Sequence, residues 1–123
     1  MTTTLTHALD RQSIEVRRAR REVHDGCAGL GADLTTSAQV MTSELVTNAL
    51  DHGRGLILLT ITRIPGRLHV AVTDEGREMP RRVIPHGTRG RGLVLVEELS
   101  SAWGVDALPT GGKTVWFNLR WQG

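Results

Sequence analysis

Apolar and polar residues follow three successive rhythms along this chain. Residues Thr2 to Ala8 alternate weakly, as an edge strand would. Val16, Ala19, Val23 and Cys27 then recur every three or four positions through a charged segment, which predicts a helix over roughly 12 to 28. Gly26, Gly29 and Gly31 end it, and the stretch Asp33 to Ser37 supplies capping residues for a second helix running to about His52. Gly53 and Gly55 stop that helix. Leu56 to Arg63 and Arg67 to Thr73 are rich in strand-forming residues, and Ile64-Pro65-Gly66 between them has the composition of a hairpin turn. The second of these strands delivers Asp74 at its end.

From Glu75 to Arg89 no period holds, and a loop of about 15 residues in a compact domain is a candidate lid. Gly90-Arg91-Gly92 opens a short apolar helix, Leu93 to Leu99, and two strand-like stretches follow, around Trp103 to Leu108 and Lys113 to Trp121. The order β, α, α, β, β, loop, α, β, β predicts an α+β two-layer sandwich. Its sheet is expected to be mixed and mainly antiparallel, with three helices on one face. At 123 residues, the whole chain 1–123 fits one domain.

Composition narrows the function classes. A hydrophobic fraction of 39% argues for a packed core, and the longest apolar runs, such as Leu56 to Leu59, are far too short to cross a bilayer. The N-terminus lacks the pattern of a secretory leader, and the single Cys27 cannot close an internal disulfide, so a cytoplasmic location is expected. Cys27 falls at core spacing, as a small buried hydrophobe does. The net charge is only +2 although arginines number 14 against one lysine, so the high isoelectric point reflects residue choice rather than a strong field. The cluster Arg17, Arg18, Arg20 and Arg21 is flanked by Glu15, Glu22 and Asp25 and has no aromatic neighbour for base stacking. It fits a solvated helix face or a protein-partner surface better than a nucleic-acid site.

The candidate chemistry begins in ELVTNALDH. Glu44, Asn48 and His52 recur every four residues, and each such step advances about 40° around a helix, so the three share a face with Asp51. Leu45, Val46, Ala49 and Leu50 take the opposite arc. A carboxylate one turn before an amide can accept a proton while the amide oxygen meets Mg²⁺, although a solvated face has the same pattern. Two common nucleotide motifs fail. TGGKT, Thr110 to Thr114, has Ala107 where a Walker A loop needs glycine, and a strand follows it instead of a helix; Gly90-Arg91-Gly92 lacks the third glycine of a dinucleotide fingerprint. What remains is GRGL at a helix start, where backbone N–H groups and the helix dipole can hold phosphate, and Asp74-Glu75-Gly76 at a strand end. There a carboxylate can accept a purine's exocyclic amine and a glycine can let the ring lie against the backbone.

The succession of Glu44-x₃-Asn48 on a helix, Asp74-x-Gly76, a long loop, Gly90-x-Gly92-Leu93 and a glycine-rich turn before Thr114 resembles the GHKL (Bergerat-fold) ATP-binding domain shared by gyrase B, Hsp90, histidine kinases and MutL. The small size and the ending GGKTVWFNL look most like the free-standing anti-sigma factor serine kinases of bacteria. The resemblance spans nearly the whole chain. It implies ATP and Mg²⁺ as cofactors, Glu44 as general base on a serine hydroxyl, and Asn48 as the Mg²⁺ ligand. His52 would lie near the phosphates or simply end its helix. Asp74 would bind the adenine amine, Gly76 would shape the base pocket, and Thr114 would join the adenine contact through its hydroxyl or a water. Gly90, Gly92 and Leu93 of the GRGL box would cradle the phosphates, with Arg89 or Arg91 neutralising charge.

By the same resemblance the partners would be an anti-sigma antagonist protein, a sigma factor and a second copy in a homodimer, with no direct contact to nucleic acid or membrane. Two departures stand out: Glu78 where the family often has a second glycine, and a short lid holding Pro80 and Pro85. They keep open an alternative, a weak or inactive nucleotide-sensing module that binds protein partners. A nucleic-acid binder centred on Arg17 to Arg21 is the third class.

Overall fold

The computed structural model describes residues 2–78 and 92–122. Among the described residues, five strands and three helices follow in the order β1 (Thr3–Leu9), α1 (Glu15–Gly26), α2 (Ala32–His52), β2 (Ile57–Ile64), β3 (Arg67–Asp74), α3 (Gly92–Leu99), β4 (Ala102–Ala107) and β5 (Lys113–Arg120). The strands form one sheet in the order β1-β2-β3-β5-β4, and all four pairings are antiparallel. The α+β architecture is the expected one, with a sheet antiparallel throughout the described residues rather than mixed.

One face of the sheet makes the core. Ile57, Leu59 and Ile61 of β2, Leu68, Val70 and Val72 of β3, and Val115, Phe117 and Leu119 of β5 are all buried, each two residues from the next, as the pleat requires. They join a single apolar cluster with Ala19 and Val23 of α1, Ala38, Met41, Leu45, Val46 and Ala49 of α2, and Leu93 and Val96 of α3. The alternate residues Thr60, Thr62, His69, Thr73, Thr114, Trp116 and Asn118 stand on the other face and stay partly exposed. Pro65-Gly66 turns the β2–β3 hairpin; Gly66 has φ 78°, which suits the second central position of a type II turn after proline.

Helix α2 ends at His52 with Gly53 as its C-cap, as expected, but its start differs. The helix starts at Ala32 with Gly31 as its N-cap and no side-chain cap bond, so Asp33 to Ser37 lie within its first turns rather than before them. Asp33 there sits against the positive end of the helix dipole. At the other end Arg11, from the β1–α1 connection, donates Nη2 to the carbonyls of Ala49, Leu50 and Gly53 at 3.0 Å each, and Nη1 to Gly55 at 3.3 Å. A guanidinium thus gathers the carbonyls at the helix end, including that of Ala49, which also accepts from the Gly53 amide at 2.9 Å. Among the described residues no helix is long and apolar enough to cross a membrane.

Candidate functional site

Asp74 is the last residue of β3 and continues the buried row of Leu68, Val70 and Val72, yet it carries a carboxylate that is only 2% exposed. Such a group survives burial only with partners. Its Oδ1 accepts from the Gly76 amide at 2.6 Å, from Lys113 Nζ at 3.1 Å and from the Arg54 amide at 3.3 Å. Lys113 is its cross-strand neighbour at the start of β5 and is equally buried. Its Nζ also lies 3.5 Å from the Gly76 carbonyl.

Three glycines let the backbone close around this carboxylate. A Cβ on Gly53 would fall 2.6 Å from Asp74 Cγ, one on Gly76 would fall 2.9 Å from Oδ1, and one on Gly112 would collide with the Asp74 carbonyl oxygen. Further bonds tie the α2–β2 connection to the end of β3: the Glu75 amide donates to Arg54 O at 2.8 Å, and the Leu56 amide donates to Glu75 Oε2 at 2.8 Å. The C-terminus of α2 is thereby fastened beside Asp74.

Glu44 and Asn48 lie one turn apart on α2, both half-buried, on the arc away from Leu45, Val46 and Ala49. Burial pushes the Glu44 carboxyl above the usual carboxylate range, the direction that improves a general base. His52 is the exposed final residue of α2, and Asp51 beside it is exposed too. Gly76 is buried against Asp74. Gly92 opens α3, and Leu93 turns its side chain into the core, so any contact from Leu93 to phosphate is left to its backbone. Arg89, Gly90 and Arg91, and with them Pro80 and Pro85 of the expected lid, lie outside the described residues.

The structure does not bring Thr114 to Asp74. Its hydroxyl stands on the far face of the sheet, 2.8 Å from that of Thr73, because residues 113 and 114 point to opposite sides of the strand. Lys113 faces Asp74 instead. A signal for it existed: counting back from Leu119, Phe117 and Val115 puts Lys113 in the buried row, where a lysine needs an acidic partner. Arg11 had no comparable signal, since its acceptors lie about 40 residues away in sequence. The arginines of α1 are partly engaged within the chain, Arg18 with the Ala8 carbonyl and Glu15, Arg20 with Ser43.

Among the described residues no group of three His, Cys, Asp or Glu side chains could hold a metal unaided. Asn48 offers a neutral amide oxygen, a hard donor that could serve a cation only beside ligands from outside the chain.

Residues 6–119 match the family model of the histidine kinase-like ATPase domain. No curated protein matches the chain in sequence. Among solved structures, the RsbU and RsbW domains of Rv1364c from Mycobacterium tuberculosis share its fold with a TM-score of 0.73 at 22% identity, over 96% of this chain and 32% of that one. The present chain therefore spans about a third of that longer protein.

Proposed function

The chain belongs to the histidine kinase-like ATPase domain family, and from that membership we propose that it is an anti-sigma factor kinase, which binds Mg-ATP and phosphorylates a serine on a small antagonist protein. The observation that carries this reading is the built carboxylate site at Asp74. One oxygen is fixed by three donors, and the site abuts the end of the helix that bears Glu44 and Asn48. A base-binding carboxylate, a metal-binding amide and a burial-raised general base are what phosphoryl transfer asks of the protein.

In this mechanism Asp74 would anchor the adenine through its exocyclic amine, and Asn48 would hold the magnesium, whose charge would offset that of the phosphates. Glu44 takes the proton of the attacking serine hydroxyl. The α3 N-terminus, opened by Gly92, would offer its backbone N–H groups to the phosphates. The partner is a small cytoplasmic antagonist protein, exchanged against a sigma factor according to its phosphorylation state, with the kinase acting as a homodimer.

The test uses purified protein, labelled Mg-ATP and lysate of the native cell. A small labelled protein that co-purifies with the kinase is expected. Glu44→Ala should lower transfer by about 10²- to 10⁴-fold and leave ATP binding in place. Undiminished transfer by that variant would remove Glu44 as the base. ATP binding with no labelled protein would favour the second reading, a nucleotide-sensing module without transfer, to which the exposed Glu78 in the loop after Gly76 points.

A further inference from the structure

Lys113 goes beyond the family pattern described above. It occupies a row of the sheet that is otherwise apolar, and replacing a buried ion pair by packed hydrophobic residues is commonly neutral or stabilising. Stability alone therefore gives a weak reason for a lysine here. Its hydrogen-bonding arithmetic gives a stronger one. An ammonium has three N–H groups; among the described residues one is used on Asp74 Oδ1, and the Gly76 carbonyl receives a second at the long distance of 3.5 Å. Asp74 shows the complementary pattern. All its hydrogen bonds among the described residues end on Oδ1, which leaves Oδ2 as the acceptor for a ligand.

A spare cationic donor thus stands beside a spare anionic acceptor. The edge of adenine carries an amine donor next to the ring acceptor N1. Hypoxanthine and guanine carry the reverse, a carbonyl oxygen next to an N–H. We propose that Lys113 is a second base-reading residue, donating to N1 while Asp74 accepts from the amine, so that the pair selects adenine over hypoxanthine and guanine. This rests on the reading of Asp74 as the base site. A purine of the wrong kind, held in the same orientation by its phosphates, would set carbonyl against carboxylate and N–H against ammonium. Polar mismatch of this kind discriminates far more strongly than a change of shape.

Binding of ATP, 1-deaza-ATP and ITP to the full chain, measured by calorimetry with Mg²⁺ present, tests the proposal without altering the protein. 1-Deaza-ATP keeps the amine and has C–H in place of N1. It should bind roughly 10- to 100-fold more weakly than ATP, the range for one hydrogen bond from a charged donor, and ITP should bind more weakly still. Lys113→Met should bring the ratio of ATP to 1-deaza-ATP affinity close to one, a change that a merely structural lysine would not produce. Equal binding of ATP and 1-deaza-ATP by the unaltered protein overturns the role of Lys113 and leaves Asp74 as the base site. Failure to bind ATP at all overturns both. Should Lys113→Met not fold, the analogue series on the unaltered protein still decides.

Discussion

The helix-facing rows of β3 and β5 run through two regions of similar burial and opposite chemistry. In the middle, Leu68, Val70 and Val72 lie opposite Leu119, Phe117 and Val115, all at most 4% exposed. At the end the same rows finish in Asp74 opposite Lys113, each 2% exposed. Apolar burial stabilises the first region directly. In the second, two desolvated charges offset each other and are held by backbone amides and close-packed glycines. The lesson is that depth of burial does not separate a core from a site; what the buried atoms bond to does.

The comparison can be broken most forcefully at Phe117. Truncation to alanine should lower unfolding free energy by about 3–5 kcal/mol in urea titration, while the folded fraction keeps its preference for ATP over 1-deaza-ATP. A lost preference would mean that the two regions are not separable. At the charged end, Asp74→Asn with Lys113→Met removes both charges but keeps an acceptor for the Gly76 and Arg54 amides. Its stability should stay within about 2 kcal/mol of the parent, whereas ATP affinity falls roughly 10- to 100-fold. A double variant as unstable as the Phe117 truncation would make the pair a structural element.

The smallest effect is expected at Glu44. Its carboxyl is raised by burial, so the folded chain holds that proton more tightly than the unfolded one. The favourable contribution is complete below the unfolded value and is lost as pH rises through the higher folded value. Glu44→Gln should therefore raise Tm at pH 7 by less than about 4 °C, and the gap should close below about pH 4. A gap that widened in acid would refute the sign.

Much of this was legible in the sequence, for reasons tied to particular residues. The elements follow from period and punctuation: Val16 to Cys27 mark α1, and Pro65-Gly66 marks the hairpin. Glu44 and Asn48 share a face because four-residue spacing leaves no choice on a helix. Strand starts are less determined. A glycine-rich turn precedes Lys113, and one step of register exchanges the faces of Lys113 and Thr114, so which of the two stands beside Asp74 is decided by the fold. The start of α2 was missed because its N-cap is Gly31, whose side chain offers no capping signal. Arg11 reaches its acceptors only after the chain has folded back, and no local pattern announces that.

The glycines around Asp74 set the alphabet from which this part of the chain can be written. A side chain on Gly112 or Gly53 would displace the backbone or carboxyl of Asp74, so each of these positions admits one letter. Gly31, with no atom within 4 Å of where its Cβ would stand and no positive φ, is a glycine of another kind and can be exchanged freely. Random libraries of this domain should therefore show glycine surviving as two classes. Within the fixed class, Gly66 answers to its turn and Gly104 to Trp116, whereas Gly53 and Gly112 mark the carboxylate's niche without any nucleotide being present to define it.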